Sequence, residues 1–131
     1  MKDRAHMFKD ARNFFEQRGV MEVDCPILSP RASVDAHIDL IRACYHGKTP
    51  CYLHSSPEYG MKRLLSEGIS DIYQLSHVFR DGELSLKHNP EFTMAEWYRL
   101  GFTLQQMMEE TVQFIRLFLG ELPYRIVNYR V

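Results

Sequence analysis

Arg80 ends one apolar run, "DIYQLSHVFR", and a polar loop separates it from a second, "EFTMAEWYRL". Side chains alternate faces along a strand, so Phe92, Met94, Glu96 and Tyr98 share one side of the second run, as Gln74, Ser76, Val78 and Arg80 do on the first. A glutamate among aromatic rings is odd for a core. It suits the floor of a cleft, where a ring offers a stacking plane and a carboxylate a polar anchor. If the two faces coincide, Arg80 projects its guanidinium over that floor, and the combination matches a nucleotide: a fork for phosphate and a ring for base. The same spacing also suits a solvated strand-end arginine above ordinary core aromatics, and alternation alone does not separate the two.

These residues need elements to position them. Both runs are rich in aromatic and β-branched residues, and an antiparallel hairpin over 71–80 and 91–100 is the economical connection. Upstream, "SSPEYGMKRLLSEG" predicts a helix over about 57–67, with Ser56 as cap, Pro57 at the first helical position, Glu58 complementing the dipole and Gly68 as the stop. Ala5, Phe8, Ala11 and Phe15, with Phe14 adjoining, form an apolar stripe that predicts an amphipathic helix over 3–18, closed at Gly19. The run "VMEVDCPIL" reads as a strand interrupted by Pro26. Residues 29–50 read as loop, weak strands near 37–45, and loop again. Thr103 with Gln106 forms a capping-box pattern ahead of a helix whose apolar face is Met107, Thr111, Phe114, Ile115 and Phe118, ending at Gly120. The closing "YRIVNYRV" resembles the start of a strand.

Composition narrows the function classes. With 131 residues and 45% hydrophobic content, one domain with one core is expected, and neither repeats nor linkers divide it. Sixteen Lys and Arg nearly balance 17 Asp and Glu, so no global field recruits nucleic acid or an anionic membrane, and an anionic ligand must be met locally. The charged N-terminus has no signal-peptide core, and no apolar stretch approaches the roughly 20 residues of a membrane span. Cys25, Cys44 and Cys51 leave an odd thiol and show no C-x-x-C spacing, and reduced cytoplasmic thiols are the simplest expectation. No pair among His37, His46, His54 and His77 has a spacing with a metal-site mechanism, so no metal ligand is assigned. Met107 and Met108 read as core.

The stretch "FRDGELSLKHNPEFTMAEWYR" resembles motif 2 of class II aminoacyl-tRNA synthetases, in the lysyl form with its "HNPEFTM" segment. Together, "SSPEYGMKRLL" and "EWYR" resemble the stand-alone lysyl-tRNA synthetase-like enzymes that modify elongation factor P, the EF-P lysine ligases. "RGVMEVDCPILSP" is similar to motif 1, a helix leading into a strand that ends at proline and builds the class II dimer interface. The resemblance spans nearly the whole chain. It implies an α+β fold, a class II synthetase-like antiparallel sheet flanked by helices and incomplete at the C-terminus. Residues 1–131 would form a partial catalytic domain with motifs 1 and 2.

The implied activity is ATP-dependent conversion of lysine or a β-lysine-type amino acid to its adenylate, followed by transfer to a lysine of elongation factor P. Arg80 would be catalytic, meeting charge that accumulates on the α-phosphate. Asp81, Gly82, Glu83, His88, Asn89 and Glu96 would join Arg80 in binding ATP, with Phe92 stacked on adenine. Ser56, Pro57, Glu58 and Tyr98 would hold the amino acid, Glu58 pairing with its ammonium. Ser56 and Glu58 are also explained as helix-start residues, and Glu96 as an internal strut. Mg2+ would assist, through ligands in the missing C-terminal part. A homodimer through residues 3–28 is implied, and tRNA and membrane partners are not.

Two departures from the family pattern bear on this. Motif 2 normally reads arginine, any residue, glutamate; here Gly82 takes the glutamate position and Glu83 follows it, so either the loop shifts register or a nucleotide contact is missing. Motif 3, a glycine-rich strand and helix with a second ATP-binding arginine, has no counterpart before Val131. A chain ending there is expected to show little amino-acid-dependent pyrophosphate exchange. The alternatives are a lysyl-tRNA synthetase core fragment, disfavoured because Met1 leaves no room for an anticodon-binding OB-fold, and an inert dimerising remnant, favoured by Gly82 and the truncation.

Overall fold

The structure, a computed structural model, describes residues 2–127. In chain order its elements are α1 (Lys2–Glu16), β1 (Met21–Glu22), β2 (Leu28–Ser29), β3 (Arg42–Tyr45), β4 (Thr49–Leu53), α2 (Glu58–Ser66), β5 (Ile72–Phe79), β6 (Glu91–Tyr98) and α3 (Leu104–Leu119). Contacts cluster in two units, one running from Gly19 to Leu100 and the other formed by the two chain ends.

The unit of chain ends is a helix pair. Phe14 and Phe15 of α1 meet Phe114 of α3 at ring-centroid distances of 5.4 and 5.2 Å, and Phe114 meets Phe118 at 5.2 Å. The stripe expected on α1 is narrower than its spacing suggests: Ala5 is exposed, whereas Ala11, Phe14 and Phe15 are buried. Thr103 caps α3 through the anticipated reciprocal bonds with Gln106, and the helix stops at Gly120 with φ +72°. Ile115, expected on the apolar face, is exposed, while Glu110 is buried. Arg18 explains the exchange. Its guanidinium stacks on Phe14, donates to Gln113 Oε1 and reaches Glu110 at 3.8 Å, giving a buried carboxylate a cation. Tyr124–Val127 has no regular structure, and the rest of the expected closing strand lies outside the described residues.

The central unit holds two three-stranded sheets, ordered β1-β5-β6 and β2-β4-β3. The first is mixed rather than antiparallel: β1 runs parallel to β5, because the chain between them detours through the second sheet and α2, and such a crossover returns a strand in the same direction. Only Met21–Glu22 is regular strand in the stretch expected over 20–25, although Val23 N still donates to Tyr73 O before Pro26. The second sheet is antiparallel. Its central strand, β4, opens at Thr49 and Pro50, where loop was expected. Pro50 is tolerated because β2 pairs only with Tyr52 and Leu53, leaving that side of Pro50 unladdered. The β3–β4 turn bends through His46 at φ +50° and Gly47 at φ +69°.

In α2 the expected cap is displaced by one residue. Pro57 occupies the N-cap position and Glu58 opens the helix, while Ser56 Oγ accepts from Glu58 N at 3.0 Å. The buried core of this unit includes Cys25, Met61 and Ile72, with Val23, Leu64, Leu65, Ile69 and Tyr98 packed on it. Gln74, 2% exposed, pins Cys25 by accepting from its backbone N at 2.9 Å and donating to its carbonyl at 3.4 Å.

Candidate functional site

Strands β5 and β6 pair antiparallel with Ile72 opposite Tyr98, Gln74 opposite Glu96, Ser76 opposite Met94 and Val78 opposite Phe92. Directly opposed residues share a face, so the alternation seen in the sequence places Phe92, Glu96 and Tyr98 on one side. Arg80 lies just past the end of β5 and joins that side. Its guanidinium carbon stands 5.1 Å from the centre of the Phe92 ring.

The backbone around Arg80 is tied on several sides. Phe79 N donates to His54 O, Arg80 N to Pro90 O and Asp81 N to Asp39 O, at 2.9, 2.9 and 2.8 Å. The last bond belongs to an isolated bridge between Asp39 and Asp81. The side chain is mostly buried. Arg80 Nη1 lies 3.7 Å from Glu83 Oε1, and Arg80 Nε is buried without an acceptor. A guanidinium held this firmly, with a donor still unused, is ready for an anionic oxygen.

Two cavities meet at Arg80. A cavity of about 320 Å³ is lined by Ser33, Asp35, Ser56, Glu58 and Glu96, among others, and by Arg80. A second, about 660 Å³, is lined by Gly82, Glu83, His88, Asn89 and Phe92, again with Arg80. The first is acidic and suits a cationic group; the second offers a half-buried ring and a cation, which suits a nucleotide.

In the smaller cavity, Glu96 receives both of its observed bonds from neighbouring hydroxyls. Ser56 Oγ donates to Oε2 at 2.5 Å and Tyr98 OH to Oε1 at 2.8 Å. Burial first, and then the bond to Glu96, push the Tyr98 phenol well above its ordinary pKa. Burial likewise raises the Cys25 thiol, helped by the charges of Asp24 and Glu96. Glu58 is engaged as well, because Lys62 one turn later donates to its Oε1, a bond that raises the lysine.

In the larger cavity the wall is a loop closed on itself. Gly82 takes φ +74° and its N–H is met by the Asp81 carboxylate at 2.9 Å. Ser85 N donates to His88 O at 3.0 Å, and Ser85 Oγ lies 2.9 Å from His88 Nδ1. Leu84 and Leu86 of this loop are exposed.

Most of the residues singled out from sequence converge on these cavities. Gly82, Glu83, His88, Asn89 and Phe92 line the larger one, Ser56 and Glu58 the smaller, and Arg80 both. Glu96, grouped from sequence with the nucleotide residues, lines the smaller cavity instead, because its strand position faces Ser56. Tyr98 lines neither; it packs on the core and reaches the site by holding Glu96. Pro57 is fully buried and faces a third, more apolar cavity, and Asp81 turns its carboxylate onto its own loop. Sequence reasoning missed Ser33, Asp35 and Ile38 on the smaller cavity. They sit in an irregular segment with no hydrophobic period, and their proximity to Glu96 comes from the fold alone.

Among the described residues no three His, Cys, Asp or Glu side chains converge as a metal-binding group. Nor is any described helix long and apolar enough to cross a membrane.

Residues 1–126 match the family described as tRNA synthetases class II (D, K and N). The chain is also similar to proteins named "Elongation factor P--(R)-beta-lysine ligase". It is 38% identical to that of Pasteurella multocida (strain Pm70) over 97% of this chain and 41% of the relative. The figures for Actinobacillus succinogenes are 40%, 97% and 41%, and for Vibrio vulnificus (strain YJ016) 41%, 91% and 38%. The chain thus spans about two fifths of the length of these curated relatives.

Proposed function

The chain belongs to the class II tRNA synthetase family, and from that premise we propose that it activates a lysine-like amino acid with ATP, as part of a ligase that modifies elongation factor P. One observation carries the reading: Arg80 lines both cavities, so a carboxylate from the acidic side and an α-phosphate from the Phe92 side would meet at one guanidinium. Relatives bearing the elongation factor P ligase name support the acceptor.

In this reading Phe92 stacks on the adenine, and His88 and Asn89 border the nucleotide. Glu96, Glu58 and Asp35 make the smaller cavity favourable for substrate ammonium groups, so the amino acid enters with its carboxylate toward Arg80. A carboxylate oxygen then forms a bond to the α-phosphorus, the bond from that phosphorus to the bridging oxygen breaks, and pyrophosphate leaves. Arg80 stabilises charge developing on the α-phosphoryl oxygens. In the second half, an acceptor lysine amine attacks the activated carbonyl, AMP departs with the bonding pair, and an amide remains. Among the described residues no three His, Cys, Asp or Glu side chains converge to hold the magnesium that the resemblance implies. Dimerisation through residues 3–28 and a cytoplasmic location belong to the same proposal.

Amino-acid-dependent pyrophosphate exchange, with lysine and β-lysine as substrates, tests the reading. In a full-length ligase that contains this chain, Arg80→Ala should lower exchange by about 100- to 1,000-fold, the usual cost of one preorganised charge at a transition state. Exchange that survives the substitution would remove Arg80 from the chemistry. Transfer to tRNA rather than to elongation factor P would favour a lysyl-tRNA synthetase core.

A further inference from the structure

We infer that Glu83 is the resting counter-ion of Arg80, displaced when an anionic nucleotide enters, and not a ligand of the base. The inference rests on the nucleotide reading of the larger cavity. Glu83 and Arg80 both line that cavity, with Glu83 Oε1 3.7 Å from Arg80 Nη1.

The local backbone explains why this glutamate turns toward the arginine. Gly82 sits at φ +74°, in the left-handed region that a side chain resists, and the Asp81 carboxylate caps its N–H. A Cβ built on Gly82 would meet nothing within 4 Å, so glycine is needed there for the turn rather than for space. That turn places the following carboxylate beside Arg80. On the other side the guanidinium rests over Phe92, and its backbone is held by Pro90 and by the bridge at Asp39 and Asp81. The arginine is therefore the fixed partner. Glu83, on a loop closed by its own Ser85–His88 turn, is the one able to move.

The magnitudes favour displacement. The pair is separated by 3.7 Å and its side chains are 24% and 35% exposed, so water screens it and its net contribution is small. A phosphate oxygen can bond the guanidinium in the paired, charge-assisted geometry that Glu83 does not reach. Glu83 in the resting state keeps the arginine neutralised and in place, and its departure delivers the charge to the incoming phosphate.

This arrangement has a definite sign. With the competing anion removed, Glu83→Gln should tighten ATP binding by about two- to five-fold, the range of an exposed ion pair. Adenosine, which has a base and no phosphate, should bind the two proteins equally, and high salt should erase the ATP difference. Titration calorimetry with ATP and adenosine at low and high salt reads all three. Weaker binding of both ligands by Glu83→Gln would make Glu83 a base ligand and overturn the inference, as would unchanged ATP affinity at low salt. If the folded wild-type protein binds no ATP, the nucleotide reading fails separately. The pair is then judged by the Arg80 Nε–Hε resonance in the ligand-free protein, which should move on Glu83→Gln; a resonance that stays in place overturns it.

Discussion

Glu96 and Glu83 flank the same arginine cavity system, yet they are held in opposite ways. Glu96 stands in the middle of a strand, half-buried, with a hydroxyl on each oxygen: Ser56 from the approach to α2 and Tyr98 from its own strand. Glu83 sits on a loop and, among the described residues, its ion pair is a loose one with Arg80 at 3.7 Å. The contrast divides the site by rigidity. The acidic cavity is shaped in advance, because its carboxylate is satisfied by groups that the core already positions. The larger cavity is walled by a loop whose bonds are mostly internal to it, between Ser85 and His88 and between Asp81 and Gly82, so less of the surrounding core fixes its shape.

The rigid side can be broken through α2. A Cβ at Gly60 would come within 2.8 Å of Cys25 Cβ and 2.9 Å of its Sγ, and Cys25 cannot yield because Gln74 pins its backbone. Gly60→Ala should therefore destabilise the fold by about 1–3 kcal/mol, the usual cost of overpacking, despite the better helix propensity of alanine. Urea unfolding measures it. A variant as stable as wild type would mean that α2 shifts freely, and that Ser56 is not held to Glu96 by packing.

A smaller effect sharpens the role of Tyr98. Tyr98→Phe removes one donor from Glu96 and should cost about 1.5 kcal/mol near neutral pH, the low end for a bond to a charged group, because the place is partly exposed. The pH dependence has a predictable sign. Folding raises the Tyr98 pKa, so the phenol's contribution is complete below its unfolded pKa of about 10 and declines as pH rises toward the folded value. Wild type and Tyr98→Phe should differ most at neutral pH and converge in strong alkali. A gap that widens above pH of about 10 would contradict the bond to Glu96.

The smallest stability effect is expected on the flexible side. His88→Ala removes only a loop closure with Ser85 and should change stability by less than about 0.5 kcal/mol. If the loop is where the nucleotide is gripped, ATP affinity should nevertheless fall, and stability and binding would separate. A large loss of stability would show the loop to be as built-in as the strand wall.

The hairpin was legible because it depends on local pattern. Two aromatic and β-branched runs with a polar loop between them pair in one economical way, and the capping box at Thr103 and Gln106 needs only neighbours in sequence. Strand β4 was not legible, since Pro50 and Gly47 argue for a loop and only the late, short pairing with β2 makes room for the proline. Glu110 was unreadable for a related reason: its burial depends on Arg18, far away along the chain. In the smaller cavity, the Ser56 bond to Glu96 joins residues 40 positions apart, and no periodicity encodes it.

By itself the sequence determined that Phe92, Glu96 and Tyr98 share one side of their strand, because side chains alternate, while the register that opposes Val78 to Phe92 puts Arg80 on that side. It also determined, through Gly82, that the loop after Arg80 departs from the family's arginine–any–glutamate pattern. Only the tertiary structure decided that Glu96 belongs with Ser56 and Glu58 rather than with Phe92, and that Arg80 stands between two cavities. The reason is physical. A face is a local property of the backbone, whereas a cavity is the space left between segments, and this one is walled by residues 33–38, 55–59 and 94–96, whose meeting depends on how the whole central unit packs.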